Sequence, residues 1–239
     1  MIRAVFFDLD NTLLDSELAW RAAVARSQAL LRARRPELTD VEVRIAWSEA
    51  QRALAERMDA GELRVAQMRE RRWGDALALL GISDATLASE IEATLAREFL
   101  DGVRLFADAG VIERLRGRYH VGIITNGADD AGPDSQRAKA LHTGLLDRVD
   151  SFLASDAADA RKPDPRIFAL ALERAGVAPA EALYAGDAVE SDVVGANRAG
   201  MLSVLLWRGP RPVPELSGEQ RPARVIATLH ALPALLDEL

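Results

Sequence analysis

The chain reads as an α/β protein: a doubly wound parallel sheet carrying an all-helical insert after its first strand. Three observations predict this. Short runs of apolar, β-branched or aromatic residues recur at 2–9, 120–125, 151–154, 182–185, 202–207 and 224–226, the composition of strands buried on both faces. Between the later runs lie helical stretches at 110–116, 135–142, 165–175 and 191–198, mostly closed by a glycine such as Gly117, Gly144, Gly176 or Gly200, which suits the left-handed end of a helix. Strand and helix in alternation imply parallel pairing through helical crossovers. Third, residues 17–99 hold several helix signatures in succession and no convincing strand.

The first strand run, 2–9, stops at carboxylates. In the insert, Thr39 with Glu42 forms a capping box, Gly61 is a helix stop, and Ser83 is placed to cap a helix whose face carries Leu87, Ile91, Leu95 and Phe99. The expected organisation is a Rossmann-like core of residues 1–15 and 101–239 with a helical cap of residues 16–100, hinged near 14–17 and 100–103. Because the insert leaves and rejoins near one strand end, it is expected above whatever that end holds. Residues 208–224, rich in Pro, Gly and polar side chains, read as an exposed loop.

Composition narrows the function. With 239 residues, 49% of them hydrophobic, the chain can bury a core of one or two domains. A net charge of -7 and a pI near 5.1 argue against nucleic acid as a partner, since phosphate backbones are held by clustered Lys and Arg. Cysteine is absent, which excludes disulfides, thiolate nucleophiles and Cys-type metal centres. The N-terminal apolar run is too short for a signal sequence, and no stretch approaches the ~20 apolar residues of a spanning helix. A cytoplasmic protein acting on a small molecule is the expectation, with no membrane or nucleic-acid partner. A P-loop consensus and the glycine fingerprint of dinucleotide sites are both missing.

The chemistry-bearing residues fall at strand ends. A strand's period of two points Asp8 and Asp10 to one side, just past the apolar run. In open α/β sheets ligands bind beyond the carboxyl ends of the strands. The second run ends in Thr125-Asn126-Gly127, a hydroxyl and backbone amides suited to phosphate; Lys162 follows the third; Gly186-Asp187 and, five residues on, Asp192 follow the fourth. Singly each has a bland reading: a turn, a solvated charge, helix caps. Together they supply carboxylates for a hard cation and donors for a phosphoryl group.

These residues resemble the haloacid dehalogenase-like (HAD) superfamily, whose four motifs read here as Asp8-x-Asp10-x-Thr12, Thr125, Lys162 and Gly186-Asp187-x-x-x-x-Asp192. The resemblance spans the chain, including a helical cap after the first motif, and the text at 6–16, 125–127, 161–165 and 186–201 is similar to the phosphatase branch. It implies a phosphatase that hydrolyses a small phosphomonoester and needs Mg²⁺ for turnover. Asp8 would attack phosphorus to form an aspartyl phosphate, and Asp10 would protonate the leaving group and then activate water. The Asp8 carboxylate, the Asp10 backbone carbonyl and the Asp187 carboxylate would hold Mg²⁺, with Asp192 a further candidate for that shell or for orienting Lys162. Thr125 and Lys162 would grip the phosphoryl oxygens, helped by the backbone amides of Leu9, Asn126 and Gly127. Residues 128–135 are longer and more acidic than the resemblance leads one to expect, and are read as a surface insertion.

Rival readings share parts of this set. A haloacid dehalogenase keeps the nucleophile, but that branch usually has an uncharged residue where Asp10 stands. A phosphomutase shares the core chemistry, and a non-catalytic phospho-ligand-binding protein would keep the fold. His120, His142 and His230 lack metal-ligand spacing. Trp20, Trp47 and Trp73 in the insert read as packing more than as base-stacking platforms, and the run Arg69-Glu70-Arg71-Arg72 as a solvated face more than an acidic-substrate contact. Sugar phosphates, nucleotides and phospho-acids all suit these motifs.

Overall fold

A computed structural model describes every residue except Ala131, Pro133 and Arg211 and, at Asp59, the side chain. The chain divides into two compact units, Met1–Glu17 with Val103–Leu239, and Leu18–Gly102. No helix among the described residues is long and apolar enough to cross a membrane.

The Leu18–Gly102 unit is built from α1 (Ser16–Arg34, entered from the other unit), α2 (Asp40–Asp59), α3 (Val65–Leu79) and α4 (Ala85–Gly102). Thr39 and Glu42 close the expected capping box at the start of α2, the Glu42 amide donating to the Thr39 hydroxyl at 3.2 Å and the Thr39 amide to the Glu42 carboxylate at 2.8 Å. Gly61, at φ 74°, follows the end of α2. At α4 the expected cap is corrected: Asp84, not Ser83, accepts from the Leu87 amide, at 2.9 Å. A carboxylate also complements the positive end of the helix dipole, which a hydroxyl does not. The α4 face of Leu87, Ile91, Leu95 and Phe99 is buried as its spacing predicts, each such side chain contributing about 1.5–3 kcal/mol. Trp20, Trp47, Trp73 and Phe99 pack on one another, with centroids 6.5 Å (Trp20–Trp47), 4.4 Å (Trp47–Trp73) and 5.3 Å (Trp20–Phe99) apart. The solvated-face expectation fails at Arg72. Its guanidinium is 2% exposed, doubly hydrogen-bonded to Glu92, and 5.2 Å from the Trp20 ring.

The other unit holds six parallel strands: β1 (Ala4–Phe7), β2 (His120–Thr125), β3 (Ser151–Ala154), β4 (Ala182–Gly186), β5 (Leu202–Leu206) and β6 (Arg224–Ile226), in the order β3-β2-β1-β4-β5-β6. The crossovers carry α5 (Val111–Leu115), α6 (Gln136–His142), α7 (Ser155–Ala158), α8 (Pro165–Ala175) and α9 (Val194–Arg198), and α10 (Leu232–Asp237) ends the chain. A wide π-helical turn, Val189–Val193, occupies the beginning of the stretch read as helix from residue 191. α8 is sharply bounded: Asp164 accepts from the Arg166 amide at 2.9 Å, Pro165 opens the helix, and Gly176 closes it at φ 65°. Its apolar face (Ile167, Phe168, Ala171, Leu172) packs with Phe6, Ile124, Leu153 and Tyr184 of the sheet. In register Phe7 lies between Ile123 and Ala185, so the C-terminal ends of β2, β1 and β4 stand side by side. The strand order reverses at this point, the topological switch where α/β sheets hold ligands.

Candidate active site

Two buried carboxylates, Asp8 and Asp192, two half-buried ones, Asp10 and Asp187, and two buried ammonium groups meet past these strand ends. From β1, the Asp8 carboxylate accepts from Lys162 Nζ at 2.6 Å. The same ammonium donates to Asp192 Oδ1 at 2.7 Å and to the Tyr184 hydroxyl at 2.7 Å, and Tyr184 in turn donates to the Ile124 carbonyl at 2.9 Å. One oxygen each of Asp8, Asp187 and Asp192 lies within 4.8 Å of the others. The Thr12 hydroxyl donates to Asp187 Oδ1 at 3.1 Å. Asp192 also accepts from the Ala188 amide at 3.0 Å, and it comes so close to Gly186 that any side chain there would collide with its carboxylate.

Asp10 stands in a separate set of contacts. Its carboxylate accepts from Lys139 Nζ at 2.5 and 2.6 Å, from Gln136 Nε2 at 2.9 Å, and from the Ser16 hydroxyl. Asn11 beside it adopts a left-handed φ of 58°, and the Leu9 carbonyl accepts from the amides of Leu13 and Leu14, so the chain curls back directly after Asp10.

Thr125, at the end of β2, is buried, and among the described residues no side chain or backbone group hydrogen-bonds its hydroxyl. The Asn126 side chain clamps the backbone of Lys162, accepting from its amide at 2.8 Å and donating to its carbonyl at 3.0 Å. The Gly127 amide donates to the Ser155 hydroxyl at 2.9 Å. Lys162, Thr125, Asp8, Asp10, Asp187 and Asp192 are thus brought to one rim. The link read as an acidic insertion lies partly outside the described residues, at Ala131 and Pro133; its Asp129 pairs with Arg137 at 2.6 Å.

Electrostatics distinguish the two carboxylates of the first motif. Burial, with Asp192 and Asp187 adding repulsion against the opposing pull of Lys162, raises the Asp8 carboxyl to about 7. Asp187 is raised to about 6 by burial and by Asp192. Burial would raise Asp10 too, but Lys139 and the hydrogen bonds from Lys139, Ser16 and Gln136 outweigh it and hold that carboxyl below its ordinary value. Burial alone would lower Lys162; Asp192 and Asp8 raise it, so its charge is secure. Among the described residues, Asp8, Asp10, Asp187 and Asp192 are met by the ammonium groups of Lys139 and Lys162, so acidic groups outnumber basic ones by two. An oxygen-only donor set with that excess fits a hard divalent cation.

A model of the haloacid dehalogenase-like hydrolase family matches residues 2–200. The chain belongs to that family. A phosphoserine phosphatase of Thermus thermophilus is 31% identical to it, covering 92% of this chain and 95% of the relative. A 2-haloacid dehalogenase of Pseudomonas syringae is 29% identical, with a TM-score of 0.73 over 100% of this chain and 99% of that one. A HAD phosphatase of Thermococcus onnurineus is 28% identical, with a TM-score of 0.70 over 98% of both. The family's α/β core is the sheet described above.

Four of the polar contacts at the rim come from residues that sequence reasoning did not single out: Ser16, Gln136, Lys139 and Tyr184. The available signal was Gln136 and Lys139 at i, i+3 on a short helix directly after the second motif, a spacing that puts both on one face. Tyr184 gave none, since an aromatic inside an apolar strand run is ordinary core.

Proposed function

We propose that the chain is a Mg²⁺-dependent phosphatase that hydrolyses a small phosphomonoester through an aspartyl phosphate on Asp8. One observation carries the reading: Lys162 Nζ lies 2.6 Å from Asp8 and 2.7 Å from Asp192, with Asp187 completing a carboxylate cluster within 4.8 Å. The kinship with two named phosphatases supports the substrate class.

The Asp8, Asp187 and Asp192 carboxylates and the Asp10 backbone carbonyl are the groups that would hold the ion. Bound there, Mg²⁺ supplies charge that lets a carboxylate meet a phosphate dianion and offsets charge on the transferring group. An Asp8 oxygen forms the bond to phosphorus as the ester oxygen leaves. The Asp10 carboxylate, ionised in the free protein, takes a proton carried in by the ester's monoanion and passes it to that oxygen, then accepts one from the water that attacks phosphorus; phosphate departs and Asp8 is restored. The Lys162 ammonium and the Thr125 hydroxyl hold the phosphoryl oxygens in place throughout.

Kinship with a dehalogenase raises a second reading, which Asp10 opposes. A dehalogenase has no leaving oxygen to protonate, yet here a second carboxylate beside the nucleophile is held by three side chains.

The test is phosphate release from a panel of sugar phosphates, nucleotides and phospho-acids, with Mg²⁺ and with chelator. Release that needs the ion and is lost in Asp8→Asn is the expected result. Rearrangement of a substrate without release points to a mutase, and tight binding without release to a ligand-binding role; either overturns the proposal.

A further inference from the structure

We propose that Gln136 and Lys139, on one face of α6, are positioning residues that fix the Asp10 carboxylate for its proton transfers; this rests on the reading of Asp10 given above. Lysine is seldom fully buried, yet Lys139 is 3% exposed and delivers its ammonium to both Asp10 oxygens, at 2.5 and 2.6 Å, from 129 residues away in sequence. Gln136, also buried, spans two loops at once. Its Nε2 donates to Asp10 Oδ2 at 2.9 Å and to the Asn126 carbonyl at 2.5 Å, tying the turn after β1 to the turn after β2.

The local backbone is shaped to admit these side chains. A Cβ at Gly127 would stand 2.6 Å from Gln136 Nε2, and Gly127 sits at φ 143°, so this glycine makes the space in which the amide lies. Ser135 caps α6, accepting from the Ala138 amide at 3.0 Å, and the Gln136 amide donates to the Ala128 carbonyl at 2.9 Å. The helix start is therefore pinned to the loop it follows. Meanwhile the Asp10 side chain remains 28% exposed, so the carboxylate is gripped on its inner side while keeping an open one. A carboxylate on a curled turn would otherwise sample several rotamers, and proton transfer needs it within hydrogen-bond reach of one oxygen.

A buried ion pair that serves only stability would be felt equally by every substrate. A positioning role predicts otherwise, because only poor leaving groups need the proton. Phenyl phosphate and p-nitrophenyl phosphate, assayed with Mg²⁺, separate the cases. In Lys139→Met, kcat on phenyl phosphate should fall on the order of 100-fold and on p-nitrophenyl phosphate by under about 10-fold. Placed in Asp10→Asn, the same change should remove less than about a further twofold, and Lys139→Arg should recover part of the loss. Gln136→Leu, a smaller lesion, should show the same leaving-group bias and decides the matter if Lys139→Met does not fold. Equal losses on both esters, or a full additive loss on top of Asp10→Asn, would overturn the inference alone. No phosphate release by the wild-type protein from these esters or from the panel above would overturn the phosphatase reading on which it stands.

Discussion

Each unit of this molecule buries a cation against carboxylate, and the two do it with opposite bookkeeping. In the helical unit Arg72 faces Glu92 through paired hydrogen bonds, and the guanidinium also lies over Trp20; the buried charge there is answered by its opposite. At the strand ends four carboxylates face two ammonium groups, and Asp8 and Asp187 are pushed up to about 7 and about 6 as a result of burial and mutual repulsion. A matched pair is what a fold needs to keep a charged group inside. A surplus of like charge opposes folding, and it is the arrangement that the proposed cation would relieve.

The contrast can be tested by variants in both units. The largest effect is expected on turnover: Asp8→Asn should lower phosphate release by about 10⁴-fold or more while leaving the far-ultraviolet circular dichroism unchanged. Asp10→Asn should lower it by roughly 10²–10⁴-fold on poor leaving groups. In the helical unit the lesion should be one of stability. Arg72→Met alone, which leaves Glu92 uncompensated, should cost about 3 kcal/mol in urea unfolding, whereas Arg72→Met with Glu92→Leu should cost clearly less. Equal losses in the single and double variants would show that packing, not charge pairing, dominates there.

The surplus also predicts a pH dependence. For Asp8 and Asp187 the folded carboxyls titrate at about 7 and about 6, above the ordinary 3.8. Between these values the folded state binds more protons than the unfolded one, so stability falls as pH rises from about 4 to 7. Saturating Mg²⁺ should flatten that slope in thermal melts, and an unchanged slope would argue against an ion at these carboxylates. The opposite sign is expected where charge is matched. Asp108 is lowered to about 2: burial would raise it, but Arg208 (2.8 Å), the Thr228 hydroxyl (2.7 Å) and the Leu229 amide (2.9 Å) outweigh burial. Its contribution is present above pH 3.8 and lost as pH falls toward 2. Asp108→Asn should therefore remove on the order of 1–2 kcal/mol at neutral pH and much less near pH 2, read by unfolding at both.

What the sequence made legible follows from the range of the interactions involved. Strands at 120–125, 151–154 and 224–226 are found with those bounds, because a buried parallel strand writes itself as a continuous apolar run. Asp8, Thr125 and Asp187 were legible at strand ends, and Lys162 in the connection after the third strand, all in chain order. Local rules were less decisive where two neighbours qualify: Ser83 and Asp84 can both cap, and it is the Asp84 carboxylate that meets the Leu87 amide. Arg72 sits in a charged run, and nothing within a helical turn of it discloses Glu92, 20 residues on. Lys139 and Gln136 were hidden for the same reason on a larger scale, since their partner is more than 120 residues away.

The Asn126 side chain presents to Lys162 the same acceptor and donor that a neighbouring strand's peptide group would. It adds one surrogate rung beyond the last true pair, Thr125 with Ala154. The anchorage of the lysine is therefore inherited from the sheet's own lattice of backbone bonds. Its ammonium is held at the other end by Asp8, Tyr184 and Asp192, so backbone and side chain of one residue are fixed by separate sets of partners.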